Sequence, residues 1–530
     1  MSLLVSHLLW ADDLILLSLD KITAQKQLDA LAKYCRDWGI EINELKTQVV
    51  IFQRESPLKF DGQFTLSNKP LEIVESYCYL GILLHHSGKV GPAETSLKTK
   101  AMRAFFGLKR TVIRSKLSFN ALTTLFDSLI KPIVLYGAPV WAPDSSVWAS
   151  ITKNLHTENR VLKTIGNSIQ EKVHLSFLKW ALGVHRKASN IGVWGESGRF
   201  PLIFESIRLS LNYVKRLENL KGRSFVSAAL SEQKRLNLPW YAKLKPLLEI
   251  DEIYSQNHVS AFRALNPKSK IIYPTTYSST NSGILCQNTV NMQPIISGKF
   301  RTGKIVSSLK NWFEKQWENH KIISPKLEFY NSIKTVFAKE PYLDECLGFS
   351  RRYRTTQFRI SAHDLQIERG RYLNLPRDER VCTWCKTTLG LNIIEDETHT
   401  LFDCDLYSTL RNKLIDSINK YSKEDQTGEL PTQSPAENET IITHSNLKDN
   451  LMHLLSPNCP KTNNTSTSNI STFINRPTSN NPERRTRVIN SICTYLLKSS
   501  EERKKLLDSA RDLNRARSHI NADTLVINLN

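Results

Sequence analysis

Cys382 and Cys385 form a Cys-x2-Cys pair, and His399 and Cys404 follow as His-x4-Cys after thirteen intervening residues. No other stretch constrains the folding of this chain as tightly. A short Cys-x2-Cys turn places two sulfurs on one ion, and Zn²⁺ takes four ligands in a tetrahedron, with thiolate and imidazole preferred. Cys382, Cys385, His399 and Cys404 are therefore expected to fold a small module around a structural Zn²⁺, with no position left open for water. The competing reading, three free thiols and a stray histidine, has to treat the spacing as chance. Nine cysteines are an odd number and are unevenly spread, which argues for metal rather than disulfides and for a reducing, intracellular compartment.

A second constraint lies near the start. In HLLWADDLILLS, His7 to Ser18, two adjacent carboxylates sit between apolar runs. Like charges are costly there unless a turn exposes them or a cation neutralises them. Carboxylate oxygens are natural Mg²⁺ ligands, and phosphoryl-transfer sites often hold two such ions. An Asp-Asp pair is also a good turn or a helix N-cap. The opening MSLLVSHLLWA does not read as a signal peptide, because it lacks a basic leading region and its apolar run is short and broken by His7.

Further along, Ala24, Leu28, Leu31, Cys35 and Trp38 recur at helical spacing, which predicts a helix over Ile22–Trp38 stopped by Gly39. Ile40–Asn43, Gln48–Phe52, Phe64–Leu66 and Tyr77–Leu84 read as strands. Hairpin, helix and strands together make half of an α+β domain.

The order WADDLILLS, LDALAKYCRDWGIEIN, KTQVVIF and YCYLGILLHHSG resembles the palm of non-LTR (LINE-type) retrotransposon reverse transcriptases, from the catalytic hairpin through the primer grip. LYGAPVW at Leu135–Trp141 and the stretch Leu175–Leu202 also look like this family. VCTWCK followed by EDETHTLFDCDLYSTLR is similar to the CCHC motif downstream of the polymerase domain in such elements, where Glu397, Thr398, Tyr407 and Arg411 fit the pattern as well. The resemblance implies that Asp12 is a Mg²⁺ ligand and Asp13 its acidic neighbour, and that Tyr79, Leu80 and Gly81 belong to the turn holding the primer end. It places Lys46 near the incoming nucleotide's phosphates, although a solvated strand-edge lysine fits that position equally. The family's other metal-binding aspartate, its fingers and its nucleotide pocket precede the Ala-Asp-Asp hairpin, and this sequence starts eleven residues before Asp12. The Mg²⁺ site is therefore expected to be incomplete, and the chain is expected not to polymerise alone.

Charge points toward polyanions. The 72 Lys and Arg against 51 Asp and Glu leave a formal net charge of +21, which favours an RNA or DNA partner. From Glu94 to Arg110, Leu97, Ala101, Phe105 and Leu108 share one helical face, with Lys98, Lys100, Arg103, Lys109 and Arg110 around the rest. Such a helix suits a thumb gripping a duplex backbone, and equally an ordinary bundle with solvated lysines. Leu122, Leu125, Phe126 and Leu129 predict another helix before Pro132. Between Arg351 and Arg380 there are eight arginines against four acidic residues, interleaved with Tyr353, Phe358 and Tyr372. Arg351, Arg352, Arg354, Arg369 and Arg371 are candidate phosphate contacts there, with aromatic faces for unpaired bases. His156, His174 and His185 lack ligand spacing and read as core or surface residues. No run of eighteen apolar residues occurs, so no membrane partner is expected.

The expected fold is α+β: a partial right-hand polymerase palm over 1–90, a helical thumb over 91–200 and a mostly helical connector over 201–350. The basic segment and CCHC zinc module then cover 351–420, a disordered linker 421–485 and a basic helical tail 486–530. The function this implies is the C-terminal fragment of an RNA-directed DNA polymerase that binds template or target nucleic acid. The alternative is a non-catalytic zinc-containing nucleic-acid-binding protein, decayed or reused from such an element. An unrelated helical zinc-binding adaptor would have to treat the palm blocks as chance. Family and charge place the chain inside the cell, in the nucleus ahead of the cytoplasm.

Overall fold

The computed structural model describes residues 5–43, 45–53, 62–154, 161–220, 224–256, 301–345, 348–423, 447 and 482–526. Most of the stretch read as a disordered linker, and most of the connector between 250 and 300, lie outside the described residues. The chain divides into two compact units, each gathered from separated stretches: 1–100, 134–170 and 202–313 in the first, and 101–133, 171–201 and 314–530 in the second. The segment 91–200 contributes to both.

All the described strands belong to the first unit. In chain order they are β1 (His7–Trp10), β2 (Asp13–Leu16), β3 (Gln48–Val49), β4 (Thr65–Leu66), β5 (Lys69–Pro70), β6 (Glu72–Ile73), β7 (Ser76–Tyr79) and β8 (Ile82–His85). They form two-stranded pairs: β1 with β2, β4 with β5 and β7 with β8 antiparallel, and β3 with β6 parallel. Ile40–Asn43 joins none of these sheets; the Asn43 carbonyl instead accepts from the Lys46 and Thr47 amides in a turn. Tyr77–Leu84, read above as one strand, is two. Leu80 and Gly81 both hold positive φ, 46° and 84°, as a two-residue hairpin turn matching the strand twist requires.

Helix α1 (Lys21–Trp38) begins where the Asp20 carboxylate accepts the Thr23 amide at 2.8 Å, and it ends at Gly39 in the left-handed region, an arrangement that satisfies otherwise orphaned backbone groups at both ends. Its Leu28 and Ala32 pack with Phe64, Leu66 and Leu71, joined by Leu16, Ile42, Val49, Ile51 and Ile73. Trp38, expected on that face, is exposed and meets Tyr34 at a ring separation of 6.1 Å. Later in the same unit the helix Ile203–Asn219 buries Ile203, Ile207, Leu211 and Val214, the i, i+4, i+8, i+11 stripe of a core helix.

The second unit is helical among its described residues. Phe119–Leu125 continues through a π-helical turn, Phe126–Ile130, into Lys131–Val134. The wider turn accommodates Pro132, which has no amide to donate. It also buries Phe126 and Ile130 while Leu129, expected inside, is exposed. Phe105, Phe126 and Trp180 gather around Phe177 at ring separations of 5.7, 4.8 and 5.6 Å. His174 stacks on Phe126 and meets Glu171 at 3.0 Å, which makes it a core histidine. Gly195, in the helix Asn190–Ser197, lets Trp317 and the Tyr330 hydroxyl come close: a Cβ there would lie 2.6 Å from each.

Four buried charges tie this unit together. Arg359 Nε donates to Glu196 at 2.5 Å, its Nη2 meets Glu340 at 3.0 Å, and Lys334 pairs with Glu340. Tyr342 adds a 2.7 Å hydrogen bond to Glu196. Burial would lower the Arg359 pKa, but Glu196 and Glu340 together hold it above its ordinary value, while burial keeps that of Lys334 below. Two cations against two carboxylates balance the cluster. Glu196→Gln removes one negative charge and leaves Arg359 and Lys334 facing Glu340 alone. Breaking a buried pair in this way costs about 3–5 kcal/mol. Denaturant unfolding of the variant should show that loss, whereas a change within experimental error would mean the cluster is solvated.

Candidate metal centre and nucleic-acid interface

The Cys-x2-Cys pair straddles a helix start. Cys382 caps Thr383–Leu389 and Cys385 lies in its first turn, so both sulfurs project from one end of that helix. The Cys382 amide donates to Ile393 at 2.7 Å and Val381 bridges Ile394, which folds the intervening stretch back on the helix. His399 opens a helical turn, His399–Asp403, whose start is fixed by its amide on the Asp396 carboxylate at 2.8 Å. The Cys404 amide closes on the His399 carbonyl at 2.9 Å.

The four side chains converge in the core. Cys382 Sγ and Cys385 Sγ each lie 3.9 Å from Cys404 Sγ, and Cys385 Sγ lies 3.4 Å from His399 Nε2. A tetrahedron of Zn–S and Zn–N bonds has S···S edges of about 3.8 Å and S···N edges of about 3.6 Å. The residues present therefore fit a closed, structural Zn²⁺ site. Hydrogen bonding with Cys404 pulls the Cys382 pKa down to about 3, the same contact pushes Cys404 up, and burial pushes Cys385 up to about 11. A dication relieves that imbalance by stabilising all three thiolates.

Leu401, Tyr407, Leu414, Ile418, Ile492, Tyr495 and Leu496 enclose the cluster. The last three come from the helix Pro482–Val526, so this C-terminal helix is part of the core around the Cys3His cluster. Arg411 donates to the Leu401 and Cys404 carbonyls at 2.9 and 2.8 Å, and the Tyr495 hydroxyl donates to Thr400 at 3.0 Å. Arg503 donates to both Glu395 oxygens at 2.8 and 2.7 Å. Neither Glu395 nor Arg503 was singled out from sequence. A separation of 108 positions leaves no local signal for their pairing.

The Ala-Asp-Asp stretch is a hairpin tip. Trp10 pairs with Asp13 in the register of β1 and β2, Ala11 takes a φ of 54°, and Asp12 and Asp13 are exposed. Among the described residues neither joins a group of three or more candidate metal ligands. The tension between charge and apolar flanks is resolved by exposure. Leu9 and Trp10 are also left 66% and 67% exposed. Lys46 is exposed in its turn.

Tyr79, Leu80 and Gly81 form the tip between β7 and β8, and the turn is held from two sides. The Tyr136 hydroxyl donates to the Leu80 carbonyl at 2.9 Å, and Lys100 Nζ donates to the Gly81 carbonyl at 3.1 Å. Tyr136 belongs to the LYGAPVW stretch, so two separated sequence blocks meet here.

Helix α2 (Gly91–Thr111) buries Ala93, Leu97, Ala101, Phe105 and Leu108. Lys98 is half-buried, whereas Lys100, Arg103, Lys109 and Arg110 are exposed. The arginine-rich segment is less open. Arg352 is buried, donating to the Leu343 and Leu117 carbonyls at 3.3 and 3.1 Å, which places it inside the fold rather than on a binding surface. Arg371 reaches Glu368 and the Pro325 carbonyl. Arg351, Arg354 and Arg369 are half-buried, with Arg354 over the Tyr353 ring at 5.5 Å.

The chain is 31% identical over 140 residues to a transposon-derived protein of Caenorhabditis elegans, covering 26% of this chain and 49% of that protein. It is 29% identical over 138 residues to the 115 kDa protein in type-1 retrotransposable element R1DM of Drosophila melanogaster, covering 25% of this chain and 13% of that protein. The chain is retrotransposon-related. The matches span half or less of the length of these relatives. No protein-family model matches. For this retrotransposon-related chain, no single helix among the described residues is long and apolar enough to cross a membrane.

Gly81→Ala forces a side chain into a φ of 84° and brings its Cβ to 3.1 Å from the Tyr136 ring. A loss of about 1–3 kcal/mol is expected in unfolding measurements, and a neutral result would show that the turn can relax. Purified chain should carry about one Zn per chain at the cysteine cluster, lost in Cys382→Ser together with cooperative unfolding of the C-terminal region. A folded, metal-free wild type would overturn the structural role of zinc.

Proposed function

We propose that the chain is the C-terminal portion of a LINE-type retrotransposon RNA-directed DNA polymerase, holding template RNA or target DNA and not polymerising by itself. One observation carries the reading. Asp12 and Asp13 stand exposed at the tip of a two-stranded hairpin, followed in order by α1, the Leu80–Gly81 turn and the cysteine cluster. The relatives named as transposon-derived and as part of a retrotransposable element support the ancestry.

In-line phosphoryl transfer needs divalent ions that stabilise both the attacking and the leaving oxygen, held from more than one strand. Asp12 would offer a carboxylate to Mg²⁺, with Asp13 beside it. Among the described residues no further ligand completes that cage, so catalysis requires a carboxylate from another segment or chain. The exposed cations of α2 would hold phosphates without reading sequence, and the Leu80–Gly81 turn would seat a primer end. The zinc cluster has a folding role, presenting Arg351, Arg354 and Arg369 from a rigid support. In the cell this activity belongs with nucleic acid, in the nucleus. A second reading, a non-catalytic nucleic-acid-binding protein of the same ancestry, is supported by a carboxylate pair that no further ligand completes among the described residues and by a full cysteine set elsewhere in the chain.

Two measurements on the purified chain test the proposal. Primer extension with Mg²⁺ and deoxynucleotides is expected to give no product. Template-dependent synthesis abolished by Asp12→Ala would overturn the prediction of inactivity. RNA or DNA binding should weaken steeply with salt, and Arg103→Ala/Lys109→Ala/Arg110→Ala should flatten the log–log salt slope by about 0.7–0.9 per contact removed. No binding at low salt would reject the nucleic-acid reading in favour of a zinc-containing adaptor.

A further inference from the structure

The base of the β7–β8 hairpin, at the end opposite Leu80 and Gly81, carries a second group of metal-ligand side chains. Ser76 pairs with His85 in the hairpin register, so Glu75 and His86 are the next residues on the two strands. They remain joined, the His86 amide donating to the Glu75 carbonyl at 2.8 Å. The chain then turns sharply. His85 Nδ1 meets the Ser87 hydroxyl at 2.8 Å and Gly88 takes a φ of 66°. Consecutive residues of a regular strand point to opposite faces, but this turn brings the two imidazoles to a ring separation of 4.3 Å. One nitrogen from each ring and one Glu75 carboxylate oxygen lie within 4.8 Å of one another.

The second observation concerns His86 itself. Its side chain is only 2% exposed, and Nδ1 has no hydrogen-bond partner. A buried, unpaired ring nitrogen gives up its hydrogen bonds to water without replacement, and buried polar atoms are normally satisfied by protein, water or an ion. We propose that Glu75, His85 and His86 form a second metal site, for a borderline divalent ion such as Zn²⁺, at the base of this hairpin. Two imidazoles and a carboxylate suit Zn²⁺, Co²⁺ or Ni²⁺, whereas Mg²⁺ prefers an all-oxygen shell. Three protein ligands leave one coordination position for water or another donor, unlike the closed cysteine set. The Gln53 amide donates to the His86 carbonyl at 3.0 Å, so an ion here would fasten the segment after β3 as well as β7 and β8. It would brace the hairpin whose far end bears the Leu80–Gly81 turn.

Co²⁺ titration of the full chain tests the site, because the two sets differ in colour. Thiolate ligation at the cysteine cluster gives intense near-ultraviolet charge-transfer bands, while a His2Glu set gives only visible ligand-field absorption. The expected result is a first equivalent with thiolate bands and a second without them. Glu75→Gln and His85→Gln, at exposed and half-buried positions, should each weaken the second equivalent at least about tenfold while leaving the thiolate bands and the circular dichroism of the chain unchanged. A chain that binds one equivalent only, or a second equivalent with wild-type affinity in both variants, would overturn the proposal.

Discussion

The helical second unit depends on a balance of charge where water cannot reach. Arg359, Glu196, Glu340 and Lys334 are all buried, and each would be intolerable alone, since an isolated ion costs several kcal/mol to bury. Their contacts join the helix Asn190–Ser197 to the helix Phe349–Arg359 and to the turn between them in space, with Tyr342 and Thr356 completing the hydrogen bonds. The arginine-rich helix that leads into the zinc module is thereby fixed by its own arginines. Part of the positive charge that sequence alone assigns to a nucleic-acid surface is spent inside the protein.

The cysteine cluster extends the same logic. Hydrophobic burial alone does not require three sulfurs and an imidazole to meet at tetrahedral edge lengths; a shared ion does. Around that point the C-terminal helix is drawn in by Val488, Ile492, Tyr495 and Leu496, and Arg503 closes on Glu395. An ion held by this cluster would therefore support more than the short loop between Cys385 and His399. Its removal would loosen a core built from segments about a hundred residues apart.

In the first unit the determining constraint is backbone geometry. Leu80 and Gly81 hold left-handed conformations, one of which is costly for a side-chain-bearing residue. The strain is supported by Tyr136 and Lys100 on the two carbonyls. The proposed histidine site at the other end of the hairpin would stiffen this turn further.

The sequence by itself determined the short-range features: the α1 helix over Ile22–Trp38 with its stop at Gly39, the buried stripe of α2, the Ala-Asp-Asp hairpin and the convergence of Cys382, Cys385, His399 and Cys404. Each rests on capping, period or ligand spacing within a few turns of chain, where local geometry leaves few alternatives. It misplaced Leu129 and Trp38, because a π-helical turn shifts a face by one residue and a helix end can outrun its core. Tertiary structure alone decided which arginines face inward, that Tyr136 seats the Leu80–Gly81 turn, that Arg503 meets Glu395, and that Glu75 joins His85 and His86. Those outcomes depend on charge pairing, desolvation and strand register between segments brought together only by folding. A sequence records the composition of such groups but not which of them will share a buried volume.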